Sequence, residues 1–419
     1  MGIEAVLLVP KNPPSTTLQM DGLALVRQEL TALWAGGAGK ALVAIALGWG
    51  LMSGTRMIYP VLLPQLSIEF DLTLTTAGLL VTIIWLAYAL GQVPGGVLAD
   101  RHGERKLLTI SVLLFIGGIV LVALAPTAVF LFLATGLAGA GLSLYPVARI
   151  TALSDLYPNH LGRALGITMA TSDISQTVLP PIAGVLAVAI AWQVGLAYVL
   201  PLLIPVALAL WLTLPAYTPS SSDIDHLSMK SIRSVFDELR QPALMIVGVA
   251  LFLYQFAWQT FTAFYPIYLI EIKELSPAVA SGLFSLFFAV GVIVKPIGGL
   301  GYDRFGIRKS LPTILGGSII GFVLLPVVTG FWALVVVTVL ISTMLGSGAI
   351  TQSYLADTIP EEIQGTGLGT IRSTASTLAA GGPVFFGAVA ERGYFDEGYI
   401  LLAVLITGVT LLAFRLPRE

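Results

Sequence analysis

The stretch Gly95-Gly96-Val97-Leu98-Ala99-Asp100-Arg101-His102-Gly103-Glu104-Arg105-Lys106 occurs a second time as Gly298-Gly299-Leu300-Gly301-Tyr302-Asp303-Arg304-Phe305-Gly306-Ile307-Arg308-Lys309. Gly298 follows Gly95 by 203 positions (298 − 95), and the Gly-Gly pair, the Asp-Arg pair, the later Gly and the closing Arg-Lys recur unchanged. Each copy is a short charged loop between two long apolar runs. A loop that repeats at half the chain length marks a duplicated unit. The apolar flanks place that unit in a membrane.

Composition agrees. Of the 419 residues 56% are hydrophobic and only 11% are charged, with a mean hydropathy of +0.92. A soluble domain carries about 25% charged residues, so the chain is an integral membrane protein. A net charge of −2 points to no polyanionic partner such as nucleic acid. With no cysteine there is no disulfide framework, thiolate metal site or thiol nucleophile. His102, His160 and His226 all fall in expected loops, which argues against a buried histidine metal site. HExxH, CxxC and GxSxG motifs are absent. Gly36 to Ala41 (GGAGKA) lacks the Ser/Thr and the first Gly of a phosphate loop, so nothing supports an ATP-driven pump, an enzyme or a cofactor. Glu4 stands where a secretory signal needs a basic flank, and no small-residue cleavage site follows. Residues 10–22 read as a flexible lead, 23–34 as an amphipathic surface helix, and Met20 is an alternative start.

A membrane span needs about 20 apolar residues. Twelve such stretches lie near 40–66, 75–99, 106–126, 128–151, 163–190, 194–214, 242–270, 277–301, 309–329, 331–355, 364–390 and 396–415. The expected organisation is a cytoplasmic lead (1–39), a six-helix bundle (40–214), a cytoplasmic linker with a short amphipathic helix (215–241) and a second six-helix bundle (242–419). Basic residues favour the cytoplasm. With both termini and the Asp-Arg loops inside, only Lys273 and Arg392 fall outside, while Arg56, Arg149, Lys295 and Arg372 lie within spans. The duplication also extends past the loop. Asp155 and Pro158 recur as Asp357 and Pro360, and Pro180 and Gly184 as Pro383 and Gly387. The fold expected is therefore an all-α membrane protein with twelve transmembrane helices in two pseudo-symmetric bundles about an axis along the membrane normal.

Twelve spans, a 6 + 6 division and the loops GGVLADRHGERK and GGLGYDRFGIRK resemble the major facilitator superfamily over about residues 40–415. The resemblance implies two bundles that rock about a central site, a cavity lined by helices 1, 4, 5, 8 and 11, and alternating access. It also implies a conformational latch at Gly96, Asp100, Arg101, Gly103 and Arg105 and at Gly299, Asp303, Arg304, Gly306 and Arg308. Small residues there let helices approach, and Asp100 can face a helix N-terminus. Such a contact, made in one state and broken in the other, sets their relative energies. Within the superfamily, Arg56-Met57-Ile58-Tyr59-Pro60, Gly139-x-Gly141, Pro146, Asp155, Pro158, Arg163 and Gly166-Ile167 resemble the anion:cation symporter and organophosphate transporter group. Thr55 and Thr135 stand where that group has an acidic residue and an Arg. The Gly before Pro of drug:proton antiporters is absent at Leu179-Pro180.

A charge at the bilayer centre costs roughly 2.5–3.5 kcal/mol on insertion scales. Arg56 lies near mid-depth and is read as a ligand contact, the alternative being a structural ion pair. Lys295 is open between the same two roles. Arg149 and Arg372, nearer the cytoplasmic ends, can snorkel or add to a binding site. Four interior cations against one deep carboxylate, Asp173, make the cavity electropositive, which suits an anion. A guanidinium holds a carboxylate or phosphate through two parallel hydrogen bonds. Asp173 is either the carrier of a coupling proton or a fixed counter-ion to Arg149 or Lys295. On span 7, Tyr254, Trp258, Phe261 and Tyr265 share a helix face and form either a cavity wall or core packing; Pro60 and Pro266 permit bends. The candidate substrate residues are thus Arg56, Tyr59, Arg149, Tyr254, Trp258, Tyr265 and Lys295.

The function expected is a secondary transporter of a prokaryotic inner (plasma) membrane. It moves a small organic anion by alternating access, coupled to protons or another ion, and works as a monomer. Two rivals remain open: proton-coupled efflux of drugs or lipophilic metabolites, and a membrane sensor that binds ligand without moving it.

Overall fold

The computed structural model describes Trp34 and residues 38–216, 241–359 and 364–416. Nearly all of the N-terminal lead, the surface helix expected over 23–34 and most of the linker lie outside the described residues. Among those described, every regular element is a helix. The first half comprises α1 (Ala38–Arg56) with α2 (Ile58–Glu69), α3 (Leu74–His102), α4 (Glu104–Ala123), α5 (Ala128–Ser143) with α6 (Tyr145–Leu156), α7 (Leu161–Ala189), and α8 (Trp192–Ala197) with α9 (Leu200–Thr213). The second comprises α10 (Pro242–Glu271), α11 (Pro277–Phe305), α12 (Ile307–Leu324), α13 (Phe331–Ser342) with α14 (Ser347–Thr358), α15 (Gln364–Ala379) with α16 (Gly382–Ala390), and α17 (Phe395–Ala413). Eleven of these spans are long and apolar enough to cross a membrane as they stand. The twelfth is α15–α16, interrupted at Ala380-Gly381.

Three of the interruptions follow from proline. Its ring clashes with the carbonyl four residues back. Pro60, Pro201 and Pro383 reach back to Arg56, Ala197 and Ala379, and these are the last residues of α1, α8 and α15. Pro266 does not do this. α10 runs unbroken past it, through residues that are buried on every side from Gln259 to Leu269. Neighbouring helices hold such a turn together.

Within the first half α1 packs on α7 so closely that backbones nearly touch. A Cβ added to Gly50 or Gly54 would lie 2.9 or 2.8 Å from the carbonyl oxygens of Thr171 and Ser175. The halves meet through two equivalent pairings, α3 with α16 and α7 with α11. On the side away from the Asp-Arg loops these pairings are tight. A Cβ at Gly387 would stand 2.2 Å from the Leu74 oxygen, and one at Gly78 2.3 Å from the Pro383 oxygen. Gly184 faces the Ser281 hydroxyl in the same way at 2.7 Å. The Val384 N–H donates to Thr82 Oγ1 (3.2 Å), and the Thr75 N–H at the start of α3 donates to Glu391 Oε2 (2.9 Å). Hydrogen bonds from Thr75 and Thr73 hold the exposed Glu391 carboxyl below its usual range, so it caps α3 as an anion. Toward the loop side, by contrast, Cβ atoms added at Gly162 and Gly166 of α7 or Gly299 of α11 would meet nothing. The closest backbone approaches between the halves thus lie on the far side.

Candidate functional site

The break between α1 and α2 sits at Arg56, in the middle of the first span. Irregular backbone at membrane depth is tolerated where it lines a cavity. Arg56 is only 7% exposed. Its guanidinium lies over the Trp85 ring (3.8 Å to the centroid) and beside Tyr88 (4.9 Å), both on α3. Nε and Nη1 have no hydrogen-bond partner among the described residues. A desolvated cation–π contact is worth about 2 kcal/mol, against an insertion cost of roughly 2.5–3.5 kcal/mol. The aromatic faces therefore offset much of the cost of burying Arg56 and leave Nε and Nη1 without a partner among the described residues.

Arg149 on α6 repeats the arrangement. It lies over the Trp49 ring at 4.4 Å, donates to Thr168 Oγ1 at 3.1 Å and leaves Nε without a partner. At 2% exposure it does not snorkel. Trp49 in turn stacks on Tyr145, whose hydroxyl donates to the Ile45 carbonyl. Tyr88 lies within electrostatic reach of both Arg56 and Arg149. From the second half, exposed Arg372 reaches Arg149 and Tyr254 in the same sense, while Nη1 donates to Gln352. Arg56 and Arg149 thus flank Tyr88, Arg372 lies near Arg149 and Tyr254, and none of the three arginines has a carboxylate partner among the described residues.

Lys295 and Asp173 behave differently. They pair across the halves, Nζ to Oδ1 at 2.5 Å, with side chains 36% and 16% exposed. This is the counter-ion arrangement, and it is the only ion pair among the described residues. Asp173 neutralises much of the charge that Lys295 would offer an anion.

The span-7 face divides. Trp258 reaches the other half, its ring 5.2 Å from Trp85. Phe261 and Tyr265 take the core-packing alternative, so the candidate substrate residue Tyr265 does not line the cavity. Both are fully buried in the second half's core, Phe261 against Phe287 and Phe322, and Tyr265 hydrogen-bonded to Thr338. A tilted helix presents one face to different neighbours at different depths. Tyr59, 1% exposed, has its hydroxyl beside Thr135 of its own half.

In the latch, Gly103 (φ 80°) and Gly306 (φ 68°) make the turns that end α3 and α11, a backbone that other residues rarely adopt. The close helix approaches lie at Gly95 and Gly298, with added Cβ atoms 3.2 Å from Leu144 Cα and 2.5 Å from the Gly346 oxygen, rather than at Gly96 and Gly299. Arg101 and Arg304 are exposed. Arg105 stacks on Trp211, and Arg308 donates to the Phe414 carbonyl, each within its own half. The Asp100 side chain lies outside the described residues. Asp303 lines a cleft of about 770 Å3 with Gln241, Tyr302, Tyr354 and Asp357. That cleft carries carboxylates and none of the interior arginines.

Sequence reading found the isolated charges and missed their aromatic supports, Trp49, Trp85 and Tyr88. The available signal was a Trp at matching depth on a neighbouring span.

Comparison with known proteins follows from this fold. The Major Facilitator Superfamily model matches residues 44–383 and 247–419. The hexuronate transporter of Bacillus subtilis (strain 168) is 25% identical over 378 residues, 84% of this chain and 88% of that protein. The riboflavin transporter RibZ of Clostridioides difficile (strain 630) is 23% identical over 401 residues, 82% of this chain and 86% of that one. A solved bacterial homologue of the human lysosomal transporter Spinster, inward-facing and unoccupied, superposes with a TM-score of 0.75. It covers 91% of this chain and 97% of that chain at 16% identity, a likeness of fold.

Proposed function

Since the chain belongs to the major facilitator superfamily and is a membrane transporter of small molecules, we propose that its substrate is a small organic anion, moved by alternating access and coupled to protons. The observation that carries this reading is the group of Arg56, Arg149 and Arg372, none with a carboxylate partner among the described residues. An anion brought among them offsets its own desolvation and theirs. A guanidinium with uncommitted N–H groups donates charge-assisted hydrogen bonds to a carboxylate or phosphate. The hexuronate relative and the resemblance to anion:cation symporters support a sugar acid.

In this reading the loop side faces the cytoplasm of a plasma membrane, with both termini inside, and the chain works as a monomer. The anion meets Arg372, Tyr254 and Arg149 and settles on Arg56. Neutralised, the like charges of the two halves no longer resist approach. The loop side closes, the latch carboxylates Asp100 and Asp303 reach their closed-state partners, and the far-side seal opens. A proton on Asp173 releases Lys295 and ties the cycle to the proton gradient.

The test is a thermal-shift panel of sugar acids, simple carboxylates, organophosphates, lipophilic cations and riboflavin on the purified protein. A ligand at about 100 times its Kd stabilises by about 2.7 kcal/mol. A shift with one anion class that is absent in Arg56→Ala supports the reading. A shift only with cations or uncharged rings replaces it with efflux of lipophilic compounds, for which Trp85 and Trp258 supply the aromatic wall. Coupling is tested by Asp173→Asn, which should abolish uphill, pH-driven transport while leaving exchange; full retention removes Asp173 as the proton carrier.

A further inference from the structure

Resting on that anion reading, we propose that Trp85 is the positioning residue of the site. Its indole face takes the place of a counter-carboxylate under Arg56, so the guanidinium is held at mid-membrane with its donors kept for the substrate.

A buried arginine has two ways to be held. A carboxylate can pair with it, which occupies the very N–H groups an anionic substrate needs. An aromatic face can lie under it, which acts on the delocalised charge and leaves the in-plane N–H groups pointing outward. The half-buried Lys295 shows the carboxylate-paired arrangement for an ammonium, with Asp173 at 2.5 Å. Arg56 exemplifies the second, 3.8 Å above Trp85 with Nε and Nη1 unpartnered. Trp85 is itself 6% exposed and cannot turn away into solvent. Its edge rests on Trp258 of the other half at 5.2 Å, so the platform under Arg56 stands where the two halves touch. Arg149 over Trp49 is the same device a second time. Its recurrence in one half argues against incidental packing.

The experiment uses the full chain with D-glucuronate as anion and D-glucose as uncharged control. It compares Trp85→Phe, Trp85→Leu and Trp85→Glu by melting temperature and by glucuronate affinity. Phe keeps a π face and retains both properties. Leu keeps an apolar filling without the face; it lowers the melting temperature and weakens glucuronate about tenfold. Glu supplies a fixed counter-ion. It should restore the melting temperature toward wild type and yet abolish glucuronate binding, an opposition that a purely structural role for Trp85 does not produce. Leu behaving like Phe, or Glu leaving glucuronate binding intact, overturns the proposal. A wild-type protein that ignores glucuronate tells against the sugar-acid reading. In that case the melting series still decides: if Leu destabilises and Glu does not restore, the platform role is wrong in its own right.

Discussion

The two halves share a backbone plan and differ in where they put charge. At the spacing of 203 that relates the duplicated loops, Arg56 falls on Gln259 and Asp173 on Ser376, while Lys295 falls on Gln92. At the spacing of 202 that relates Asp155 to Asp357, Arg149 falls on Thr351. Each of these interior charges has an uncharged polar residue as its counterpart. The duplicated fold supplies a symmetric frame, and function depends on breaking that symmetry residue by residue. In the proposed mechanism the first half grips the anion and the second closes upon it. Gln259, fully buried with both amide atoms unpartnered among the described residues, marks where the second half has kept the polar position and dropped the charge.

Making the halves alike is the most direct way to break this contrast. Arg56→Gln copies the second half into the first and removes two charge-assisted hydrogen bonds, about 3 kcal/mol together. Anion uptake should fall roughly 100-fold, and Gln259→Arg should not rescue it if the grip belongs to the first half. Uptake of the anion that the thermal-shift panel selects reads both.

Asp173→Asn is next. It leaves Lys295 unpaired, and because that side chain is a third exposed the loss should be about 1–2 kcal/mol rather than the larger cost of a fully buried pair. The melting temperature should drop in the single variant and recover in Asp173→Asn/Lys295→Gln. Failure to recover would mean that the pair does more than hold the halves.

The far-side seals sharpen the comparison further. Gly387 and Gly184 are equivalent by the repeat, yet the first abuts a carbonyl and the second a serine hydroxyl that can rotate. Gly387→Ala should therefore cost about 2 kcal/mol and part the seal, and Gly184→Ala less than about 1 kcal/mol. Since the chain has no cysteine, spin labels placed in the 69–74 and 391–395 turns report the separation directly. Equal responses would refute the asymmetry. Glu391→Gln should have the smallest effect, because the residue is exposed. It widens the same label distance slightly by weakening the cap on α3 and leaves the melting temperature unchanged.

Much of the fold was legible in the sequence because a membrane reduces structure to span, loop and side. The duplicated Asp-Arg loop gave the symmetry, and Pro60, read as a bend, has its break four residues before it; Pro383, read only as a repeat position, acts in the same way. Pro266 carries the same chemistry and makes no break, since packing on all sides decides the outcome there. In the site, Arg56 and Arg149 stood out as lone charges in apolar runs. Trp49, Trp85 and Tyr88 did not, because hydropathy counts an indole as one more apolar group and conceals its π face. Tyr265 was misplaced for a related reason: sharing a helix face with Trp258 fixes direction about the axis but not the neighbour met at that depth.

The Asp173–Lys295 pair also bears on how such a chain holds its two parts together. Each half carries only one member. Two copies of the first half assembled on the same pseudo-symmetric plan would set Asp173 against Gln92 twice, and two copies of the second would set Lys295 against Ser376 twice. Either pairing leaves two uncompensated charges at membrane depth. A dimer of identical halves would therefore leave both positions unpaired, and joining the halves in one chain sets each member against the other.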